Sequence, residues 1–480
     1  MPQWCITNVC KTIIASPVAD LAAGDTPGGS AMWESVVLVL AALTAIWQSA
    51  HTPVPNPVPQ PSLTTAQLMA LKTADLKAPI ASALGERAVV TAAAAQLQAF
   101  LGQPFDAVSD EELPAALEAM ALFRWDASSL RPALLQALSG LSQKTVDYQR
   151  AVLTGAHTLL WQDAAPQVMA VLPQINTPKE FAIGAYTVLR ASDSPPLRAE
   201  LRSLMLRQFP QWDRIAQLIA LERRLRAEPL DDLAERPALS DLLRAPIKPG
   251  YPVVYSLQRQ NRAYPGLALV RGADGRFVRH GDGSLFAISQ LALAKSRLPG
   301  TITNGNTPQG LFVIKGTVSA TNVWIGPTPA LQSKLPIEAS RQEFEHLDPG
   351  LDSPVNVWDE SQYWSYFPRS WQGFAPLREA WLAGLAGRDE IWLHGDTVNP
   401  DYYRNTSYFP FAPSAGCMVA KEVWSKEDGT LLQSDQLNLV KALATTGSLQ
   451  AYLVVVDIDD RQSPVALADV YNDILLAEAQ

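Results

Sequence analysis

The sequence predicts a multidomain α and β chain: an all-α domain, built as a bundle or as HEAT-like helical pairs, then a β-rich domain. Three observations carry this. Residues 63–245 are rich in Ala, Leu, Gln, Glu and Arg, with apolar residues three and four apart, the spacing of one helix face. From about 250, apolar residues gather into short β-branched or aromatic runs punctuated by Gly and Pro, the texture of strands and turns. The length, 480 residues, exceeds one ordinary domain.

Composition narrows the function classes. The chain is 48% hydrophobic and 18% charged, normal for a protein that buries cores, which excludes collagen and low-complexity disorder as the main state. Thirty-eight Lys and Arg face 47 Asp and Glu, a formal charge of −9. A dedicated nucleic-acid binder would show a basic footprint instead. Three cysteines cannot build a disulfide framework.

Taken in order, residues 1–50 read as a leader. Residues 36–47 (VVLVLAALTAIW) are an apolar run, shorter than the roughly 20 residues of a bilayer span. The run fits a signal-peptide core better, or a buried helix, with membrane anchoring there also open, and export to the periplasm or cell envelope is expected. Lys11 is the only Lys or Arg before Lys72, and Gln48-Ser49-Ala50 is a poor cleavage site. Met32 is an alternative start that would remove residues 1–31. Residues 51–62 carry proline at 53, 55, 57, 59 and 61, a semi-rigid extended spacer.

Within 63–245, Thr177-Pro178-Lys179-Glu180 reads as a helix start, with Thr177 capping, Pro178 in the first turn and Glu180 reaching back. Breaks near Pro173, Ser194-Pro195-Pro196 and Phe209-Pro210 divide the stretch. His157 lies alone on an Ala/Leu-rich segment and reads as a packing residue. Arg223, Arg224 and Arg226 read as a solvated face. No residue here carries chemistry, so a protein-docking surface and a spacer are both open.

Beyond 250, strands are expected at Tyr251–Leu257, Leu311–Lys315, Asn322–Ile325, Glu390–His394 and Ala451–Asp457. Leu267–Val270 and Arg276–Arg279 form a hairpin around Asp274-Gly275. Ser284–Arg297 reads as a helix, as does Met418–Asp428, ended by Gly429. Seven of the 13 tryptophans lie beyond residue 320. The segment between Trp324 and Glu390, with Tyr363, Trp364, Tyr366, Phe367, Trp371 and Phe374, is either a lid or a packing layer against the helices.

The chemistry concentrates in Ile391–Asp396 and Ser414–Met418. His394 ends an apolar strand, and Gly395 lets the chain turn. Cys417 follows Gly416 and precedes the expected helix, whose positive end would favour a thiolate. A nearby imidazole would take the proton, and the amides of Gly416 and Cys417 would face an oxyanion. Alone, the pair is weak: Cys417 also reads as a small buried residue, and His394 as a strand-end residue bonded to a carbonyl. His394 precedes Cys417 by 23 residues, which matches neither the caspase spacing of about 50 nor the papain order. No metal-ligand pattern, phosphate loop or dinucleotide motif is present, so no metal or cofactor is expected.

Three ordered motifs give these residues a family. Thr307-Pro308-Gln309-Gly310-Leu311-Phe312, then His394-Gly395, then Ser414-Ala415-Gly416-Cys417 resemble the L,D-transpeptidase (YkuD-like) catalytic domain over about 265–460. The resemblance implies a β-rich sandwich over 250–475, with Cys417 as nucleophile and His394 as general base. Ser414, Gly416 and Gly395 would sit at the oxyanion and substrate positions. It implies peptidoglycan stem peptides as partners and L,D-transpeptidase or L,D-carboxypeptidase activity. The family's histidine before Gly-Cys is Ala415 here, and its Arg or Asn two residues after the cysteine is Val419. The His-to-Cys loop is long and aromatic (Tyr402, Tyr403, Tyr408, Phe409, Phe411). Ala415 keeps a rival open, a non-catalytic wall-binding or scaffold protein. A cysteine hydrolase of another amide is a further alternative.

Overall fold

The computed structural model describes residues 63–105, 109–226, 236–347 and 358–479. The leader and the proline spacer lie outside the described residues. Among those described, no helix is long and apolar enough to cross a membrane.

The first half is helical: α1 (Ala83–Leu101), α2 (Glu112–Phe123), α3 (Arg131–Ser139), α4 (Val146–Leu159), α5 (Trp161–Val171), α6 (Pro178–Ala191), α7 (Pro195–Gln208), α8 (Ala216–Leu225) and α9 (Leu239–Arg244). The helical character is as expected. Helix α6 is buried at every position from Glu180 to Leu189, as a helix enclosed on all sides must be, and α4, α5 and α8 pack around it. Pro178 opens α6 as expected, but the capping bond of Thr177 does not form. Glu180 instead accepts from Arg150 Nε at 2.9 Å, a charge-assisted partner that outcompetes a cap amide. His157 is 4% exposed with Thr187 Oγ1 3.4 Å from its Nδ1.

The second half holds β1 (Val253–Arg259), β2 (Gly266–Arg271), β3 (Ile288–Leu291), β4 (Gly310–Val318), β5 (Ala330–Lys334), β6 (Leu393–His394), β7 (Met418–Ala420) and β10 (Ala451–Asp459), with a separate pair β8 (Glu422–Trp424) and β9 (Leu431–Ser434). The expected sandwich takes a different form. Eight strands close into one sheet, in the order β1-β10-β4-β5-β6-β7-β3-β2. Pairings β1–β10 and β6–β7 are parallel, the others antiparallel. All eight strands send alternate side chains, such as Val254, Phe312, Leu393, Met418 and Leu453, into one core. That core is the inside of the closed sheet, because inward and outward residues alternate along each strand. Helix α11 (Asp435–Ala444) adds Leu439, Val440 and Leu443 to it.

Strands β1, β2, β4 and β10 are covered outside as well, so they read as near-continuous apolar runs. Their outer cover is α9, α12 (Tyr471–Glu478) and the aromatic segment, with Tyr363, Phe367, Trp371 and Trp381 against Tyr255, Tyr452 and Val454. The described part of the segment packs, but chiefly on the outer face of the barrel rather than on the helical domain. Trp371 Nε1 donates to Ala238 O at 3.0 Å, and Tyr363 Oη ties Leu311 N–H to Leu377 O.

Three local expectations are corrected. Ser284–Arg297 contains strand β3, not a helix, because β2 and β7 pair with it on its two edges; ladder partners override local propensity. Met418–Asp428 is β7 and β8, not a helix: Met418 and Ala420 point inward while β6 and β3 take the backbone bonds. Asn322–Ile325 is a turn, closed by Asn322 Oδ1 accepting Trp324 N–H at 2.9 Å, the turn chemistry of asparagine. The Asp274-Gly275 hairpin forms as expected, with Val278 N–H on Val270 O.

The two halves share cores. Leu298 and Ile302 lie in the helical core. Tyr403, Tyr408 and Phe411 of the long loop pack with Val89 and Phe123. Residues 63–82 pack with the β half: Leu68 enters the barrel core, and Leu431 N–H bonds Leu76 O.

Candidate functional site

Parallel register fixes where Cys417 and His394 point. Leu393 lies opposite Met418, and His394 opposite Val419. Leu393 and Met418 point into the barrel core. By alternation, Trp392, His394, Cys417 and Val419 all face outward. A rise of about 3.3 Å per residue and a strand spacing of about 4.8 Å put the Cβ atoms of Cys417 and His394 roughly 8 Å apart. They share one face of adjacent strands, two positions out of register.

The thiol points the other way. Cys417 Sγ accepts from Trp392 N–H at 3.3 Å and donates to Glu390 O at 3.4 Å. Among the described residues no hydrogen bond joins it to His394. Burial is the main influence on the thiol and pushes it up to about 11; Glu390 and Glu338 act the same way, against the Trp392 amide and the Arg388 charge. The expected helix dipole is absent because β7, not a helix, follows Cys417.

His394 is 4% exposed. Burial lowers it to about 4, against its bond to Gly395. Its Nδ1 lies 2.5 Å from Gly395 O. A carbonyl only accepts, so Nδ1 carries the proton and Nε2 keeps the lone pair. A thiol raised by burial and an imidazole lowered by burial both disfavour proton transfer between them at rest. At rest the pair is neutral thiol and neutral imidazole.

The Ser-Ala-Gly-Cys turn is held from every side. Ser414 Oγ accepts Gly416 N–H at 2.9 Å and donates to Cys417 O at 2.8 Å. The expected oxyanion amide of Gly416 is therefore engaged by Ser414 in this state. Thr307 Oγ1 donates to Gly416 O at 2.8 Å, which gives the Thr-Pro motif a structural role. Ser414 is also laced to the chain beyond β3, through Lys295 N–H on Ser414 O and Ser414 N–H on Leu293 O. Gly416 has φ +126°, and a Cβ there would sit 2.2 Å from Arg388 Nη2; only glycine fits.

Gly395 is similarly confined: a Cβ would meet the Glu422 carboxyl carbon at 2.1 Å. Glu422 accepts from Ser434 Oγ at 2.6 Å, and burial pushes it up to about 7. Asp396 is raised well above the ordinary carboxylate range, by burial first and the Glu422 charge second.

Sequence reasoning missed Arg388. It is 5% exposed and donates to Gly300 O at 2.5 Å, Asn306 O at 2.8 Å and Gly305 O at 3.0 Å. In Gly387-Arg388-Asp389-Glu390 it looks like a charged surface turn, and no local pattern marks it. Glu338 was missed too. Its carboxylate accepts from Leu335 and Glu390 amides, and burial pushes it up to about 7. Glu390 itself holds φ +52°, an uncommon conformation for a side-chain-bearing residue.

A cleft runs between the two halves and ends at Ser414 and Ala415. Its walls are Leu117, Glu118, Arg150 and Thr154 of α2 and α4, with Lys295, Thr303 and Asn304 from the β half. It is shallow, with about 60 Å³ open to a water-sized sphere. A Lys295–Glu118 ion pair bridges the halves within it. Ala415 is exposed at its end. Among the described residues, no group of His, Cys, Asp and Glu is arranged to hold a metal.

No protein-family model, no curated protein and no solved structure matches this chain.

Proposed function

We propose that this protein performs cysteine-dependent acyl transfer on peptidoglycan stem peptides, as an L,D-transpeptidase or L,D-carboxypeptidase of the bacterial cell envelope. One observation carries the reading. Cys417 and His394 face the same way from adjacent parallel strands, and Ser414 and Ala415 of the cysteine's own turn line a cleft. The motif resemblance supplies the substrate class.

In this reading a turn about the Cys417 Cα–Cβ bond swings Sγ off Glu390 O toward His394. His394 Nε2 takes the thiol proton as Sγ bonds the carbonyl carbon of the donor stem. The C–N bond to the leaving D-amino acid breaks, and its nitrogen takes that proton from His394. The amine of a second stem then attacks the thioester, the C–S bond breaks, and the amine's proton returns through His394 to sulfur. Water in place of the amine trims the stem instead. The tetrahedral oxygen needs amide donors near Gly416 and Cys417, so Ser414 Oγ must release the Gly416 N–H as the oxyanion forms.

A second reading has its own observation. The thiol is tied to Trp392 and Glu390 and is neutral at rest, which suits a non-catalytic wall-binding protein that keeps the fold. Incubation with purified muropeptides, followed by mass spectrometry, separates the two. The catalytic reading predicts cross-linked dimers or stems shortened by one D-amino acid, both lost in Cys417→Ala. Unchanged muropeptides that nevertheless co-sediment with the protein would favour the scaffold.

A further inference from the structure

Arg388 carries a buried charge that the steps above leave unused. Its guanidinium bonds three carbonyls, those of Gly300, Gly305 and Asn306, and among the described residues no ion pair to a carboxylate is formed. A buried cation held only by neutral partners is costly unless a counter-charge is available. The carboxylates of Glu379, Asp389 and Glu338 favour its charge from a distance without bonding it. Glu379 accepts the Gly300 and Gln309 amides at 3.0 Å each, and Glu338 accepts the Leu335 and Glu390 amides. Asp389 and Glu390 neighbour it in sequence, and Lys179 faces the same region with its ammonium on Thr303 Oγ1. On the turn side the guanidinium packs against Gly416, where even a methyl group would overlap Nη2. The next residue is Cys417.

We propose that Arg388 is a positioning residue that supplies the fixed positive charge for the Cys417 thiolate, from the segment before β6 rather than from the cysteine's own strand. Its three carbonyl bonds hold the guanidinium rigidly, so no reorganisation is needed when sulfur becomes negative. The same bonds pin the 300–306 segment against Gly416, fixing the distance between charge and thiol. When Cys417 loses its proton, to His394 or to water, the buried guanidinium gains its counter-ion. The Arg388 charge favours the thiolate, and it opposes both burial and the nearby acids. Arginine suits the role because its planar fork spans several carbonyls and stays charged when buried.

The inference rests on Cys417 being the nucleophile, but its test needs no peptide, so absence of acyl transfer would leave it standing or falling by itself. Alkylation of Cys417 by iodoacetamide in the full chain, followed by peptide mass, gives a rate profile against pH. Arg388→Gln keeps hydrogen-bond donors and loses the charge; it should slow alkylation about tenfold or more and move the profile to higher pH. Arg388→Lys keeps the charge and should stay within about threefold of wild type. Equal slowing in both variants, or an unmoved profile in a folded Arg388→Gln protein, overturns the proposal. A wild-type measurement decides if the glutamine variant fails to fold. A fixed cation beside sulfur should make the rate ratio of anionic iodoacetate to neutral iodoacetamide higher at Cys417 than at glutathione. A ratio no higher than that of glutathione also overturns it.

Discussion

At Cys417 burial favours the neutral thiol, while the Trp392 amide and the Arg388 charge favour the thiolate. Burial wins at rest, so alkylation in the unliganded protein should be slow near neutrality and rise about tenfold per pH unit in alkali. A fast, pH-independent reaction near neutrality would mean the thiol is already ionised. Glu422 gives a second prediction. Its folded value of about 7 lies above the ordinary carboxylate value, so between the two the folded chain holds a proton that the unfolded chain has lost. That contribution to stability is full below the unfolded value and is lost as pH rises through about 7. Glu422→Gln imitates the protonated form and should therefore lose less melting temperature than wild type between about pH 5 and pH 8. Parallel losses in the two proteins would show that Glu422 ionises normally. The strand end at His394-Gly395 and the turn at Gly416-Cys417 were legible in the sequence because each carries a glycine. Arg388 was not, because its partners lie more than 80 residues earlier, at Gly300, Gly305 and Asn306.

Among elements, β1, β2, β4 and β10 were legible and β3 and β7 were not, for a physical reason. The first four are buried on both faces along most of their length, so their sequences are near-continuous apolar runs. Strands β3 and β7 are four and three residues long, too short to impose a period, and only their ladder partners define them. The aromatic segment shows the same dependence: its composition left a lid and a packing layer both open, and only the fold names the surface. Tyr363 anchors it, accepting Leu311 N–H at 3.1 Å and donating to Leu377 O at 2.5 Å. Tyr363→Phe orphans both buried groups and should cost about 1–3 kcal/mol in denaturant unfolding. A loss below about 0.5 kcal/mol would mean the segment is held by its ring contacts alone.

For the whole molecule, the change of texture near 245 marks a boundary but not the traffic across it. Leu298 and Ile302 enter the helical core, Leu68 enters the barrel core, and Tyr403 Oη donates to Leu122 O at 2.9 Å. Halves that share cores unfold together, so calorimetry should show one transition, and Leu298→Ala should lower it as a unit. Two resolved transitions would make the halves independent. The shared cleft also gives the helices a place in the proposed chemistry, since α2 and α4 form one wall of the approach to Ala415. Sequence reasoning found no role for these helices because each wall residue reads, along its own helix, as an ordinary surface or packing position.

Intact mass after exposure to a tetrapeptide stem released from peptidoglycan tests the central claim most directly. The account predicts that wild type gains the mass of the stem less its terminal D-amino acid, that His394→Ala gains it far more slowly, and that Cys417→Ala gains nothing. An adduct on Cys417→Ala, or none on a folded wild-type protein, would contradict it.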